Sequence, residues 1–196
     1  MKTRKYTLKH RAERQDETRA RIVDAAMTLH EELGPASTTI SAVAERAGVQ
    51  RLTVYRHFPS DRELFEACTT KWLALNPPPE LEDMAGGSAE SGTREALTTL
   101  YRYYRRTARM WTTAYRDVDR VPALAEPMAA FAAYLSGIRK NLLGRLAPSK
   151  AKRRQAAAAI GHAVQFSTWR SLSEQGLSDA AMAKLVTAWV TASLEA

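Results

Sequence analysis

One cysteine, Cys68, is all the thiol the chain has, so no internal disulfide can staple the fold, and a reducing compartment is expected. Alone on a half-apolar face, it reads as a small core residue. Long apolar runs are missing too: the longest, 156–164 and 185–194, fall well short of the roughly 20 residues that a spanning helix needs. The stretch from Met1 to Arg14 is basic and polar with no apolar block behind it, unlike a secretory signal, which points to the cytoplasm. There is no phosphate-cradling G-x-x-x-x-G-K, no dinucleotide glycine fingerprint, no H-E-x-x-H and no G-x-S-x-G. His30 with Glu31 and Glu32 ends a helix on a polar face that needs no chemistry, and no second His or Cys stands at ligand spacing from His162. Neither an enzyme nor a metal nor a cofactor is expected.

What remains is ordinary in amount and lopsided in charge. The 196 residues are 45% hydrophobic and 26% charged, enough to bury a core and far from a disordered composition. Lys and Arg exceed Asp and Glu for a net charge of +8, which suits a polyanionic partner such as nucleic acid or an anionic membrane surface. Apolar residues recur at three and four almost throughout and never alternate for long, so the fold class is all-α.

The first periodic run places Ile22, Ala25, Ala26, Leu29 and Leu33 on one face, starts near a possible cap at Asp16 and stops at Gly34-Pro35. A short run from Thr39 turns Ile40, Val43, Ala44 and Ala47 inward and ends at Gly48. A second short run buries Val49, Val54 and Phe58, which leaves Gln50, Arg51, Thr53 and Tyr55 facing away from the core. Ser60 and Glu63 read as a capping box for a fourth helix that ends near Leu75, before Asn76 and three prolines. From there to Gly92 a Gly/Ser/Glu-rich stretch reads as a flexible linker. Beyond it, Thr93 can cap a helix with Leu97, Leu100, Tyr101 and Tyr104; Pro127 suits the first turn of another, with Met128, Phe131, Leu135, Ile138 and Leu142 at helical spacing. Two last helices, about 150–175 and 179–195, form a hairpin with Ser149 and Ser178 as caps. The expected domains are 1–60 and 61–196.

Two short helices joined by a tight turn at Gly48 match a helix-turn-helix, whose second helix enters a major groove. The outward side chains at 50, 51, 53 and 55 would offer donors, a guanidinium fork and a phenol there. Charge and turn alone fit a solvated helix face in a plain bundle equally well.

Order along the chain adds to this. Ile22-Val23-Asp24-Ala25-Ala26, then TTISAVAERAG from Thr38 to Gly48, then VQRLTVYRHFPS from Val49 to Ser60 together resemble the TetR (tetracycline-repressor-like) family of transcriptional regulators. The close resemblance covers the first quarter to third of the chain; the rest agrees in architecture only. It implies that Thr39 holds a phosphate through its hydroxyl and the helix amides behind it, and that Thr53, Tyr55 and His57 contact the DNA backbone, Tyr55 reaching a base edge or thymine methyl as well. On the same footing Arg51 fits guanine O6 and N7, Gln50 fits adenine, and Leu52 a thymine methyl. The family often has a lysine at the start of the fourth helix; Asp61 stands there in this chain, with Arg62 beside it as a substitute. The arm bearing Lys2, Arg4, Lys5, Lys9, Arg11 and Arg14 is either a minor-groove arm or a solvated tail.

By the same resemblance, residues 61–196 form an effector-binding and dimerisation domain. Tyr101, Tyr104, Trp111, Tyr115, Phe131 and Tyr134, with Phe166 and Trp169, could line an apolar pocket with His162 as a polar group inside, although aromatics at such spacing usually form core. The final hairpin would pair with a second copy, burying Ala156, Ile160, Ala163, Leu172, Leu185, Val186 and Trp189. The expected protein is a homodimeric regulator, a repressor released from a palindromic double-stranded DNA operator by a small molecule, with no membrane partner. The competing expectation is a basic adaptor that binds an anionic membrane surface or acidic protein through its arm and the cluster Lys150, Lys152, Arg153 and Arg154.

Overall fold

No glycine or proline interrupts residues 2–32, and in the structure, a computed structural model that describes residues 2–80 and 88–195, this stretch is one helix, α1 (Lys2–Glu32). It starts well before Asp16, because the good helix formers upstream need no cap at that point to continue the turn. The side chains of Lys2, Arg4, Lys5, Lys9 and Arg11 lie outside the described residues; Arg14 is exposed. There follow α2 (Ile40–Ala47), α3 (Arg51–His57), α4 (Asp61–Leu75), α5 (Ala89–Asp117), α6 (Ala125–Leu146), α7 (Arg153–Ala163), α8 (Phe166–Glu174) and α9 (Asp179–Glu195). Every regular element among the described residues is helical.

The chain packs as two units: Met1–Pro77 with Thr112–Pro127, and Pro78–Trp111 with Met128–Ala196. This differs from a division at residue 60. Helix α4 packs on α1 and contributes Leu64 and Cys68 to the same core as Ile22, Ala26, Leu29, Val43, Val54 and Phe58, while the end of α5 returns to that unit. There Thr113 Oγ1 donates to the His30 carbonyl at 2.9 Å, Arg116 Nη2 donates to the Leu33 carbonyl at 2.7 Å, and Asp117 Oδ2 accepts from the Ala36 amide at 3.0 Å. These bonds close the open end of α1. Gly34, at φ +89°, allows the approach: a Cβ there would come within 2.4 Å of the Asp117 carboxylate. Leu33, expected in the core, lies past the helix end and is exposed. His30 is the opposite case. It is buried against Phe65 and Cys68, not on a polar face, and burial holds its imidazole down at about 4 and pushes the Cys68 thiol up to about 12.

In the second unit α7 packs on α9 and α8 on both. Helix α5 begins at Ala89, so 89–92 are not linker; Ser88 supplies the cap by accepting from the Ser91 amide at 3.1 Å, and residues 81–87 of the expected linker lie outside the described residues. Thr93 sits one turn inside, buried, its hydroxyl donating to the Ala89 carbonyl at 2.8 Å. The expected single helix over 150–175 is broken at Val164-Gln165. The cause is a pair of buried hydroxyls: Tyr101 Oη donates to the Ala163 carbonyl at 2.8 Å and Tyr104 Oη to the Val164 carbonyl at 2.7 Å, taking the acceptors that the next helical turn would have used. Ser149 does not cap α7, which starts at Arg153 behind an uncapped Lys152, whereas Ser178 caps α9 through the Ala181 amide at 3.2 Å.

Candidate nucleic-acid interface

Helix α2 ends because Gly48 takes φ +64°, which lets the amides of Gly48 and Val49 return to carbonyls of α2, Val49 N donating to Ala44 O at 3.0 Å. The connection to α3 is thereby three residues long. Val54 and Phe58 are fully buried on α3, Val49 packs against the same core, and the Arg19 guanidinium lies 4.7 Å from the centre of the Phe58 ring. With the inner face anchored in this way, the outer face is fixed: Gln50, Arg51, Leu52, Tyr55 and Arg56 are exposed, while Thr53 and His57 are half-buried at the sides. Leu52 leaves 70% of its surface in water, which its own fold does nothing to relieve.

The polar groups of this face are held rather than spent. Arg51 is in no ion pair among the described residues, and its guanidinium lies 6.0 Å from the Tyr55 ring centre, within reach of the ring face. Thr39 caps α2 by accepting from the Ala42 amide at 3.2 Å, which leaves its own O–H free to donate; the Ile40 and Ser41 amides of the first turn have no acceptor within the helix. Ser60 caps α4, accepting from the Glu63 amide at 3.2 Å and donating to its carboxylate at 3.1 Å, so Glu63 reaches the hydroxyl and not the Ser60 amide of a full capping box. An open cleft of about 500 Å³ brings Thr39, Arg51, Tyr55, Asp61 and Arg62 to one mouth; Gln50 and Leu52 project outside it. Arg62 is committed elsewhere, its Nε donating to Glu66 at 2.6 Å. Both partners are exposed, and such a pair is weak in water, so an anion can displace it. Asp61, in the first turn of α4, is placed where the helix dipole welcomes a carboxylate.

The aromatic set of the second unit is less open than its sequence suggested. Tyr101 and Tyr104 are fully buried with bonded hydroxyls, and Trp111, Phe131, Phe166 and Trp169 are also buried. Trp111 stacks on Phe131 with ring centres 3.9 Å apart, and Phe166 on Trp169 at 5.4 Å. Tyr115 belongs to the amino-terminal unit, where it is exposed. His162 lies on the exposed side of α7 and not among the aromatics. Of the expected set, Tyr134 lines an open cleft of this unit. Of the residues expected between two copies, Ala156, Ile160, Ala163 and Val186 are buried within their own unit, because α7 and α9 pack on each other; Leu172 is half-buried, and Leu185 and Trp189 are the exposed ones. Sequence reading did not find the Thr113, Arg116 and Asp117 contacts, which lie 81–83 residues from their partners and leave no local signal.

A rigid, aliphatic-cored head that presents one exposed helix after a glycine turn defines a helix-turn-helix protein. Residues 22–68 match the family described as bacterial regulatory proteins, tetR family. The transcriptional regulator TtgR of Pseudomonas putida is 44% identical over 55 residues, which are 28% of this chain and 26% of that protein, so the match spans about a quarter of the curated relative's length. Among solved structures, a TetR-like transcriptional regulator from Rhodococcus sp. RHA1 superposes with a TM-score of 0.64 at 20% identity, over 91% of this chain and 96% of that one. The multidrug binding protein EbrR complexed with imidazole gives 0.55 at 19%, over 91% and 90%. These two are likenesses of fold. Over residues 22–68 the chain is similar to the TetR family. No helix among the described residues is long and apolar enough to cross a membrane.

Proposed function

We propose that the protein is a DNA-binding transcriptional regulator, a homodimer that holds a palindromic operator and is released from it by a small molecule. The observation that carries the reading is the outer face of α3: Gln50, Arg51, Leu52 and Tyr55 exposed together on a helix whose other face is locked by Val54 and Phe58. Arg51 reads guanine through its two-pronged fork, with Gln50 set for adenine and Leu52 for a thymine methyl. Thr39 donates its hydroxyl to a phosphate beside the free amides of α2, and Thr53, Tyr55 and His57 flank the same backbone. Arg62 leaves Glu66 for a neighbouring phosphate. One seven-residue helix makes a small interface, so two copies with their α3 helices one turn of DNA apart are needed for a specific site. Leu185 and Trp189 on α9 are the apolar groups with surface left to bury in such a dimer.

Release is a shift of population: an effector that prefers the arrangement with misplaced α3 helices weakens operator binding by its differential affinity, typically about 1–3 kcal/mol. EbrR, described as a multidrug binding protein, supports an effector role for the second unit by likeness of fold. Titration of duplex DNA at several salt concentrations tests the reading. A steep fall of log affinity with log salt is expected, with the slope reduced by about one unit in Arg62→Gln if that guanidinium neutralises a phosphate; a flat salt response contradicts DNA binding.

A further inference from the structure

The second unit carries an open cleft of about 590 Å³ along one face of α6. Tyr134, Gly137, Ile138, Asn141, Leu142 and Arg145 line it at spacings of three and four, so it follows the α6 helix for about 16 Å. The opposite wall is Ala96 of α5 and the Pro78-Pro79 corner. That corner is fixed at one end, where Tyr134 Oη donates to the Pro79 carbonyl at 2.7 Å. Glu80, next in the chain and exposed, is the cleft's carboxylate and belongs to this end.

At the other end stands Arg145. It is half-buried and in no hydrogen bond or ion pair among the described residues, although half-buried guanidinium groups ordinarily find an anion. It lies against Gly92, where an added Cβ would fall 2.6 Å from its Nη2. Its charge therefore faces the first turn of α5, and no carboxylate among the described residues is paired with it. Between the two ends the lining is apolar apart from Asn141, and a Cβ added at Gly137 would meet nothing within 4 Å. The arrangement is a greasy trough about three helical turns long, cationic at one end.

We propose that this cleft binds an amphipathic carboxylate of medium chain length, its head on the Arg145 fork and its chain along the Gly137 to Leu142 face towards Tyr134. The carboxylate fits the fork with two parallel hydrogen bonds, and the open space at Gly137 takes the chain. This rests on the reading that the second unit receives an effector, but binding can be measured without DNA.

The probes are decanoate, decanol and decyltrimethylammonium, titrated calorimetrically into the full chain, its Arg145→Met variant and its Gly137→Leu variant, each checked for its helical circular dichroism. Decanoate is expected to bind the natural chain at least tenfold more tightly than either other probe. Arg145→Met should remove that preference while leaving decanol unchanged, and Gly137→Leu, which fills the trough from an unobstructed position, should abolish binding of all three. Equal binding of the three probes, or decanoate binding untouched in both variants, overturns the proposal, as does no decanoate binding at millimolar concentration. If decanoate binds as expected and operator affinity does not change, the site stands and its role as effector fails.

Discussion

The core of the amino-terminal unit is built mostly of short aliphatic side chains, Ile22, Ala26, Leu29, Val43, Ala44 and Val54 among them, with Phe58 as its largest fully enclosed ring. In the other unit the largest enclosed side chains are Tyr101, Tyr103 and Tyr104. The difference is one of constraint. An aliphatic core asks only for volume, so its helices keep their intrinsic ends at Gly48 and Ser60. A tyrosine buried to its hydroxyl must be given an acceptor, and two of the three acquire one by breaking a neighbouring helix at Ala163-Val164.

Substitutions can sharpen this contrast. The largest effect is expected at Phe58→Ala, where the lost ring leaves a cavity under α3; such changes cost about 3–5 kcal/mol, and the urea midpoint should fall accordingly. Acid comes next. His30, buried in the aliphatic core, has its imidazole held at about 4 against an ordinary 6.5, so the unfolded chain takes up the proton first. Stability is whole above about pH 6.5 and declines as the pH falls towards 4, by of order 3 kcal/mol in all. Urea titrations across that range should show a shallower decline in His30→Gln. The second unit buries no histidine among the described residues.

A smaller effect separates the tyrosines themselves. Tyr104→Phe strands the Val164 carbonyl and should cost about 1–3 kcal/mol, whereas Tyr103→Phe removes a hydroxyl that donates to no backbone carbonyl among the described residues and has the Trp111 side chain beside it, and should cost less than about 0.5 kcal/mol or stabilise slightly. Equal losses from the two in thermal melts would break the argument from hydroxyl partners. Gly137→Ala has the opposite sign to Tyr104→Phe, expected to raise stability by about 0.5–1 kcal/mol, since the helix gains a better former where a Cβ meets nothing.

The same contrast governs what could be read from the chain. From Thr39 to Ser60 every determinant is local: a cap, a glycine turn, Val54 and Phe58 one helical turn apart, a second cap. The all-helical class and the outward set at 50, 51 and 55 followed from spacing alone. In the second unit the determinants are distant. Tyr101 and Tyr104 act on carbonyls 60–62 residues away, so the break between α7 and α8 has no signature at 164–165. The latch at Asp117, the burial of Ala156 and Ile160 inside their own unit and the exposure of His162 likewise depend on which helices meet, which periodicity does not specify. The outer face of α6, with Arg145 unpaired, carries no signal of its own, because a lone arginine at helical spacing resembles any solvated charge.

Selection of bound fragments from random duplex DNA, run side by side with the natural chain and Arg51→Ala, tests the role of the α3 face most directly. A single palindromic sequence containing guanine in each half is expected from the natural chain. The variant, still bound to DNA through its phosphate contacts, should lose the preference at those guanines, a discrimination of about 1–3 kcal/mol each. Recovery of the same sequence with the same preference from both proteins would contradict it.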